Sequence, residues 1–454
     1  MFALNATVAM PATINESTVT IAQAEAVLRP LLRANNDATW KLTVQAYQQC
    51  VLGKVFPPED PFRHAWISPG GVYRGQWIWD TTFVMDLLAV IPSQRDVLRG
   101  VFANYRDAQK RWDAAKPPYA HGMIPCMIEP GSAKWLEYPA YSQIPILAWG
   151  LERVYEHNHD VELVRQNISA LEKFHEWYWR ERDITSSGLV AVGSYSGVIQ
   201  HARFETFDLE CNLDDLKLTP NSSRSPGTEN GNWYGDICIP GITAYLIIGE
   251  QSLARMAELV GDTEMAQRRR ARCKKSAAAM QRYMWDETSG TYLAVRRDTL
   301  EKVRIQTIGS WLPLLAEVPT KKQAKQMAQM LRSSDWLTTL PIPTVNRTSP
   351  LFSGEFWRGD VWPPTNYQVA CGLAKYGYHD LAAVICDRTI RNAIAYGINE
   401  RYHPDTGKPL GVSNLGMSAT VVTMMLDGLS SSKYRVHILA PGSKHGRSHT
   451  RSRN

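Results

Sequence analysis

The chain has 454 residues, of which 44% are hydrophobic and 21% charged, with a formal net charge of +6. That balance belongs to a globular protein with a sizeable core and excludes low-complexity chains. No apolar run approaches the ~20 residues that span a bilayer, and the basic excess comes with no recognisable nucleic-acid-binding module.

Part of that excess lies in Lys444 to Arg453, a run without apolar periodicity that reads as a disordered tail. The first 17 residues lack a basic stretch followed by an apolar one, so no secretory signal is expected. The chain therefore divides into an extension (1–17), one barrel-sized body (18–440) and a tail (441–454). The seven cysteines (50, 126, 211, 238, 273, 371 and 386) are odd in number and scattered, with no CxxC pair. They read as reduced core thiols of a cytoplasmic protein.

Residues 18–54 are predicted mostly helical, with a break at Pro30. The turn-rich Ser68–Gly75 leads into Gln76-Trp77-Ile78-Trp79-Asp80 and then a helix over TTFVMDLLAVI. Asp80 is costly to bury between tryptophans and an apolar helix unless something pairs with it. A second amphipathic helix covers Val101–Ala114. A proline-rich loop and Tyr138–Pro145 then lead into a helical hairpin that turns at His159-Asp160 and ends near Trp179.

The same grammar recurs twice, with turns at Gly261-Asp262 and Tyr378-His379-Asp380. Strand signals are short: 188–192, 291–295 and 435–438. Asp236 stands just before a helix expected from near Ile237, which leaves it as either an N-cap or a ligand for a sugar hydroxyl. Periodicity thus predicts an all-α protein of helical hairpins with long loops. Phosphate-loop, dinucleotide and zinc-protease motifs do not occur, GSYSG is out of phase for a nucleophile elbow, and His201, His379 and His403 have no metal-ligand spacing. No cofactor or metal is expected.

The loops carry aromatic rings beside carboxylates and amides, as in FWRGDVWPPTNY (356–367) and NERYHPDTG (399–407). Rings stack on sugar C–H faces, and glycosidic cleavage calls for a carboxyl pair. With GQWIWDTTF (75–83), YSQIP (141–145), the helix pair before WDETSG (261–293), KYGYHD (375–380) and LGMSAT (415–420), these segments resemble the (α/α)6-barrel glycoside hydrolases of family 63. They are more distantly similar to the family 37 trehalases. The resemblance covers roughly residues 70–430 in the family's order.

It implies an (α/α)6 barrel and an inverting hydrolase acting on a small α-glucoside or related α-glycoside, with a small carbohydrate as its partner and neither nucleic acid nor membrane. Glu400 matches the family's base. Trp79, Asp80, Gln143, Trp357, Arg358, Trp362 and Asn366 match residues lining the sugar subsite, while Asp360 is expected to cap a helix or turn. One departure stands out. In YSGVIQHARF (195–204), Ile199 occupies the position of the family's acid aspartate and Tyr195 that of its leading glutamate. Ile199 cannot transfer a proton, so the acid is sought in ETFDLECNLDD (205–215), with Asp208 first and Asp214 and Glu205 next. Apolar neighbours there would raise a carboxyl pKa as a general acid requires. The alternatives are a sugar-binding barrel without hydrolysis, or a related all-α lyase or epimerase.

Overall fold

The computed structural model describes residues 17–29, 37–137, 140, 142–183, 185–194, 218–220, 233–350 and 352–431. Its helices are α1 (Ser17–Leu28), α2 (Asp37–Gln45), α3 (Ile78–Leu88), α4 (Arg95–Ala115), α5 (Leu147–Asn158), α6 (Val161–Arg182), α7 (Pro240–Val260), α8 (Thr263–Ala279), α9 (Lys321–Leu331), α10 (Pro363–Lys375), α11 (His379–Tyr396) and α12 (Thr420–Leu426). A π-helical stretch, Ala46–Val51, extends α2.

Two kinds of helix alternate. Every residue of α3 and of α12 is buried, as are about three-quarters of α7 and of α10. A helix that is apolar all round must be enclosed, whereas an amphipathic one covers it. The enclosed helices form a ring. α3 packs on α5, α5 on α7, and α7 on two 3-10 turns, Ile308–Ser310 and Leu312–Leu314. The second of these turns packs on α10, α10 on α12, and α12 returns to α3. Around them lie α4, α6, α8, α9, α11 and the segment Asp37–Val51, which packs on α11 and on Gly416–Ala419. This is an (α/α)6 barrel whose fourth inner member is reduced to short turns. Pro313 lies in that member and lacks the N–H a longer helix needs there.

The hairpin turns follow from local chemistry. His159 and Gly261 take left-handed backbone at the ends of α5 and α7. The next residues, Asp160 and Asp262, cap α6 and α8 by accepting from Leu163 N (3.2 Å) and Met265 N (2.9 Å). Asp380, read as the third member of this set, instead lies in the first turn of α11 and pairs with Arg332.

The one sheet of more than two strands among the described residues is antiparallel and centres on Trp233–Cys238. Ala191–Ser194 pairs along one side of it, and Leu218–Pro220 and Ala294–Arg296 share the other. This corrects the expected helix start near Ile237. Residues 233–238 are a strand, α7 begins at Pro240, and Ile239 occupies its N-cap, so Asp236 is not a helix cap. The described cysteines are unpaired, most of them buried. No described helix is long and apolar enough to cross a membrane.

Candidate active site

Most of the predicted site residues that the structure describes lie at or before the N-terminus of an inner helix. Trp79 and Asp80 are in the first turn of α3, Gln143 precedes α5, Asp236 precedes α7, Trp357, Arg358 and Trp362 precede α10, and Glu400 lies in the hairpin before α12. Helix N-termini present unpaired N–H groups and a partial positive charge, a setting that favours carboxylates.

Glu400 owes its geometry to a strand defect. The strands Asn399–Tyr402 and Pro409–Ser413 pair antiparallel, with Asn399 opposite Ser413 and Arg401 opposite Leu410. Glu400 therefore faces two residues, Gly411 and Val412. Gly411 adopts φ +72°, the left-handed backbone of a glycine bulge. The extra residue turns the Val412 N–H out of the ladder and onto Glu400 Oε2 at 2.8 Å. Tyr73 Oη donates to Oε1 at 3.0 Å, so each carboxylate oxygen holds a donor. A Cβ on residue 411 would stand 2.2 Å from Oε2, so glycine is required both for backbone and for space. Glu400 is only 3% exposed.

A second carboxyl lies near it. Asp80, 9% exposed, is pushed up to about 7, first by burial and then by the negative charge of Glu400. No side chain among the described residues hydrogen-bonds to it. Beside it, the Trp79 amide donates to Gln143 Oε1 (2.9 Å), and the Trp79 indole N–H points to Met417 Sδ (3.0 Å). Tyr178 Oη donates to the Gln143 main-chain carbonyl and so fixes the backbone there.

The segment 356–367 divides into rings and braces. Trp357 and Trp362 stack face to face, 3.8 Å between centroids and 2° from parallel. Phe356, at φ +51°, meets Trp362 edge-on, and Arg401 lies over its ring. Asp360 holds this turn by accepting from Phe356 N (2.7 Å) and pairing with Arg401. Burial raises its carboxyl to about 6 while Arg401 opposes the shift. Asp360 therefore braces a turn, as expected. Thr344 bridges the Trp357 carbonyl and the Gly359 amide. Arg358 is half-buried in the same loop.

Asn366 departs from the reading as a sugar ligand. It is fully buried, and its amide is spent on Ile342 N, Pro341 O and Thr389 Oγ1. It ties the 341–342 loop to α10 and α11.

Glu205, Asp208 and Asp214 lie outside the described residues, as do Tyr195 and Ile199. The ends of that stretch are placed. The chain leaves at Ser194, paired with Trp233, and returns at Leu218–Pro220, paired with Gly235, Tyr234 and Trp233. Both ends thus flank the strand that runs into α7.

Tyr73, Gly411 and Val412 were not singled out from sequence. Tyr73 sits in a turn-rich stretch with no pattern to mark it. A lone glycine in the strand-like PLGVS does signal a bulge or close backbone approach, and could have pointed to Gly411.

The mannosylglycerate hydrolase MGH1-like glycoside hydrolase domain family matches residues 73–418. Mannosylglycerate hydrolase of Thermus thermophilus is 25% identical over 408 residues, covering 77% of this chain and 94% of that protein. The enzyme of the same name from Rubrobacter radiotolerans is 29% identical over 185 residues, 39% of this chain and 41% of the relative, so that alignment spans under half of either protein. A crystal structure of the Thermus thermophilus family 63 mannosylglycerate hydrolase in complex with Tris and D-glycerate superposes with a TM-score of 0.62 at 20% identity, covering 84% of this chain and 98% of that one.

Proposed function

The chain belongs to the mannosylglycerate hydrolase MGH1-like glycoside hydrolase family, and on that footing we propose that it hydrolyses an α-glycoside joining one hexose to a small hydroxy acid or polyol, with inversion. The observation that carries this reading is the carboxyl arrangement at the inner-helix mouth: Glu400 with a donor on each oxygen, and Asp80 beside it with none from a neighbouring side chain.

In this reading Glu400 is the general base. It takes a proton from water as the water oxygen attacks the anomeric carbon. The glycosidic C–O bond breaks on the opposite face, and the leaving oxygen receives a proton from a carboxylic acid. Tyr73 and Val412 hold the Glu400 carboxylate in its aim. Trp79, Trp357 and Trp362 supply apolar faces for the pyranose ring. Asp80, Gln143 and Arg358 take its hydroxyls, and Asp236 is kept as a further hydroxyl ligand from the strand before α7. Asp208, Asp214 and Glu205 are the proton-donor candidates, because both ends of their segment flank that strand. The scattered, unpaired cysteines support a cytoplasmic site of action.

The pKa of Asp80 favours one alternative division of labour. A carboxyl near 7 still holds a proton at neutral pH and suits a donor. One experiment tests the base and separates the donors. Asp80→Asn, Glu205→Gln, Asp208→Asn, Asp214→Asn and Glu400→Gln are each assayed on an α-hexosyl glycerate and on the matching α-hexosyl fluoride, whose leaving group needs no proton. The donor variant loses the first activity and keeps the second, and Glu400→Gln loses both. Full glycerate turnover by Glu400→Gln would overturn the proposal.

A further inference from the structure

A cleft of about 750 Å3 lies between the later turns of α11 and the chain from Ser334 to Leu340, and none of its lining residues belongs to the candidate active site. Three guanidinium groups line it and no carboxylate does. Arg388 and Arg391 stand three residues apart on α11, so they share one face of that helix. Arg347 reaches the cleft from the opposite chain segment.

These arginines are unequally engaged. Arg347 pairs with Asp405 at 2.8 Å. Arg388 gives one nitrogen to the Thr338 carbonyl at 2.7 Å and retains its others. Arg391 is exposed and has no carboxylate or carbonyl partner among the described residues. The rest of the lining is mixed: hydroxyls such as Thr338 and Thr406 stand beside the apolar surface of Leu337 and the ring of Tyr396, which is 48% exposed. Guanidinium groups gathered in one concavity with only Arg347 held by a carboxylate repel each other and gain from a shared anion.

We propose that this cleft is a second ligand site, for a small polyol carrying a phosphate monoester. A carboxylate is satisfied by one guanidinium fork. A phosphate dianion, with three acceptor oxygens, matches two incompletely paired arginines and a third that can be shared. The volume falls in the range of small-ligand pockets, and Tyr396 offers a face for the carbon skeleton. The site touches the catalytic hairpin from behind. Asn392 on α11 donates to the Gly407 carbonyl at 3.0 Å, and the Leu340 amide to the Pro404 carbonyl at 2.8 Å. Both carbonyls belong to the turn that follows the Glu400 strand.

The test is titration calorimetry of the full chain with glucose 6-phosphate, inorganic phosphate, citrate and glucose. The expected result is saturable binding of glucose 6-phosphate, weaker binding of inorganic phosphate, and no displacement of either by glucose in excess. Arg391→Ala should weaken the phosphate ligands at least ten-fold and Arg391→Glu abolish their binding, with glycosidase activity and melting temperature unchanged. Absence of binding at millimolar phosphate or sugar phosphate would overturn the proposal. So would equal affinity in Arg391→Glu, tighter binding of citrate than of the sugar phosphate, or competition by glucose, which would place the ligand in the active site.

Discussion

Asp80 is expected to cost the protein stability in a pH-dependent way, and Asp80→Asn exposes that cost. Its carboxyl titrates near 7 in the fold against 3.8 when solvated. A raised folded-state value means that the folded chain binds the proton more tightly. The associated stability is complete below pH 3.8, is lost as pH rises, and levels off above 7. Linkage puts the loss at about 2 kcal/mol at pH 5 and about 4 kcal/mol at pH 8. Asparagine has nearly the same shape and cannot ionise. The variant should therefore unfold at higher urea than the parent at pH 8, with a clearly smaller gain at pH 5 and none near pH 3.5. The assay is urea denaturation followed by circular dichroism at four pH values. A variant no more stable than the parent at pH 8, or one whose gain is the same at every pH, would refute the reasoning. Activity should fall in the same variant, so the site would be exchanging stability for a carboxyl in place.

Glu400→Gln should lower turnover by about 10²–10⁴-fold, the usual share of general-base catalysis, with the fold intact by circular dichroism. Tyr73→Phe removes one donor to a charged oxygen, worth about 1.5–3 kcal/mol, and should lower kcat about 10- to 100-fold with little change in KM. Gly411→Ala places a methyl group against Glu400 Oε2 and forces a strained φ. It should cost about 1–2 kcal/mol of stability, read as a lower melting temperature, and most of kcat. Arg401→Ala leaves Asp360 buried without its partner. About 3–5 kcal/mol of destabilisation is expected by urea titration, and Asp360→Asn in the same background should restore part of it.

The helical hairpins could be read from sequence by their periodicity, while their closure into a ring came only with the family resemblance. Apolar runs such as that of α3 must be enclosed, and the aspartates after αL turns mark the starts of α6 and α8. The fourth inner member escaped notice because Ile308–Leu314 is too short to show a period. Residues 233–238 were misread because an aromatic-Gly-Asp run before an apolar helix fits a cap as well as a strand. Among the candidate site residues, those picked out by a chemical signature, the tryptophans, Asp80, Gln143 and Glu400, are the ones that the fold places at or before inner-helix starts. The groups that fix Glu400 were not legible, since one is a main-chain N–H and residue type does not announce it. Asn366 shows the reverse case, a residue carried over from a motif whose amide is used up inside the fold.

The ring also has a seam. Asp37–Val51 packs on Gly416–Ala419, the turn that leads into the last inner helix, α12, and the closure is tied where Gln45 Nε2 donates to Asn414 Oδ1 at 3.1 Å across 369 residues of sequence. Nothing covalent holds this junction, and the family match, residues 73–418, takes in neither Asp37–Val51 nor α12. The hairpin carrying Glu400 leads directly into it. A ribosome must therefore deliver nearly the whole chain before the wall behind Glu400 can be completed. Until then α3 and α10, the two neighbours of α12 in the ring, wait with apolar flanks open, the kind of exposed surface from which misassembly starts.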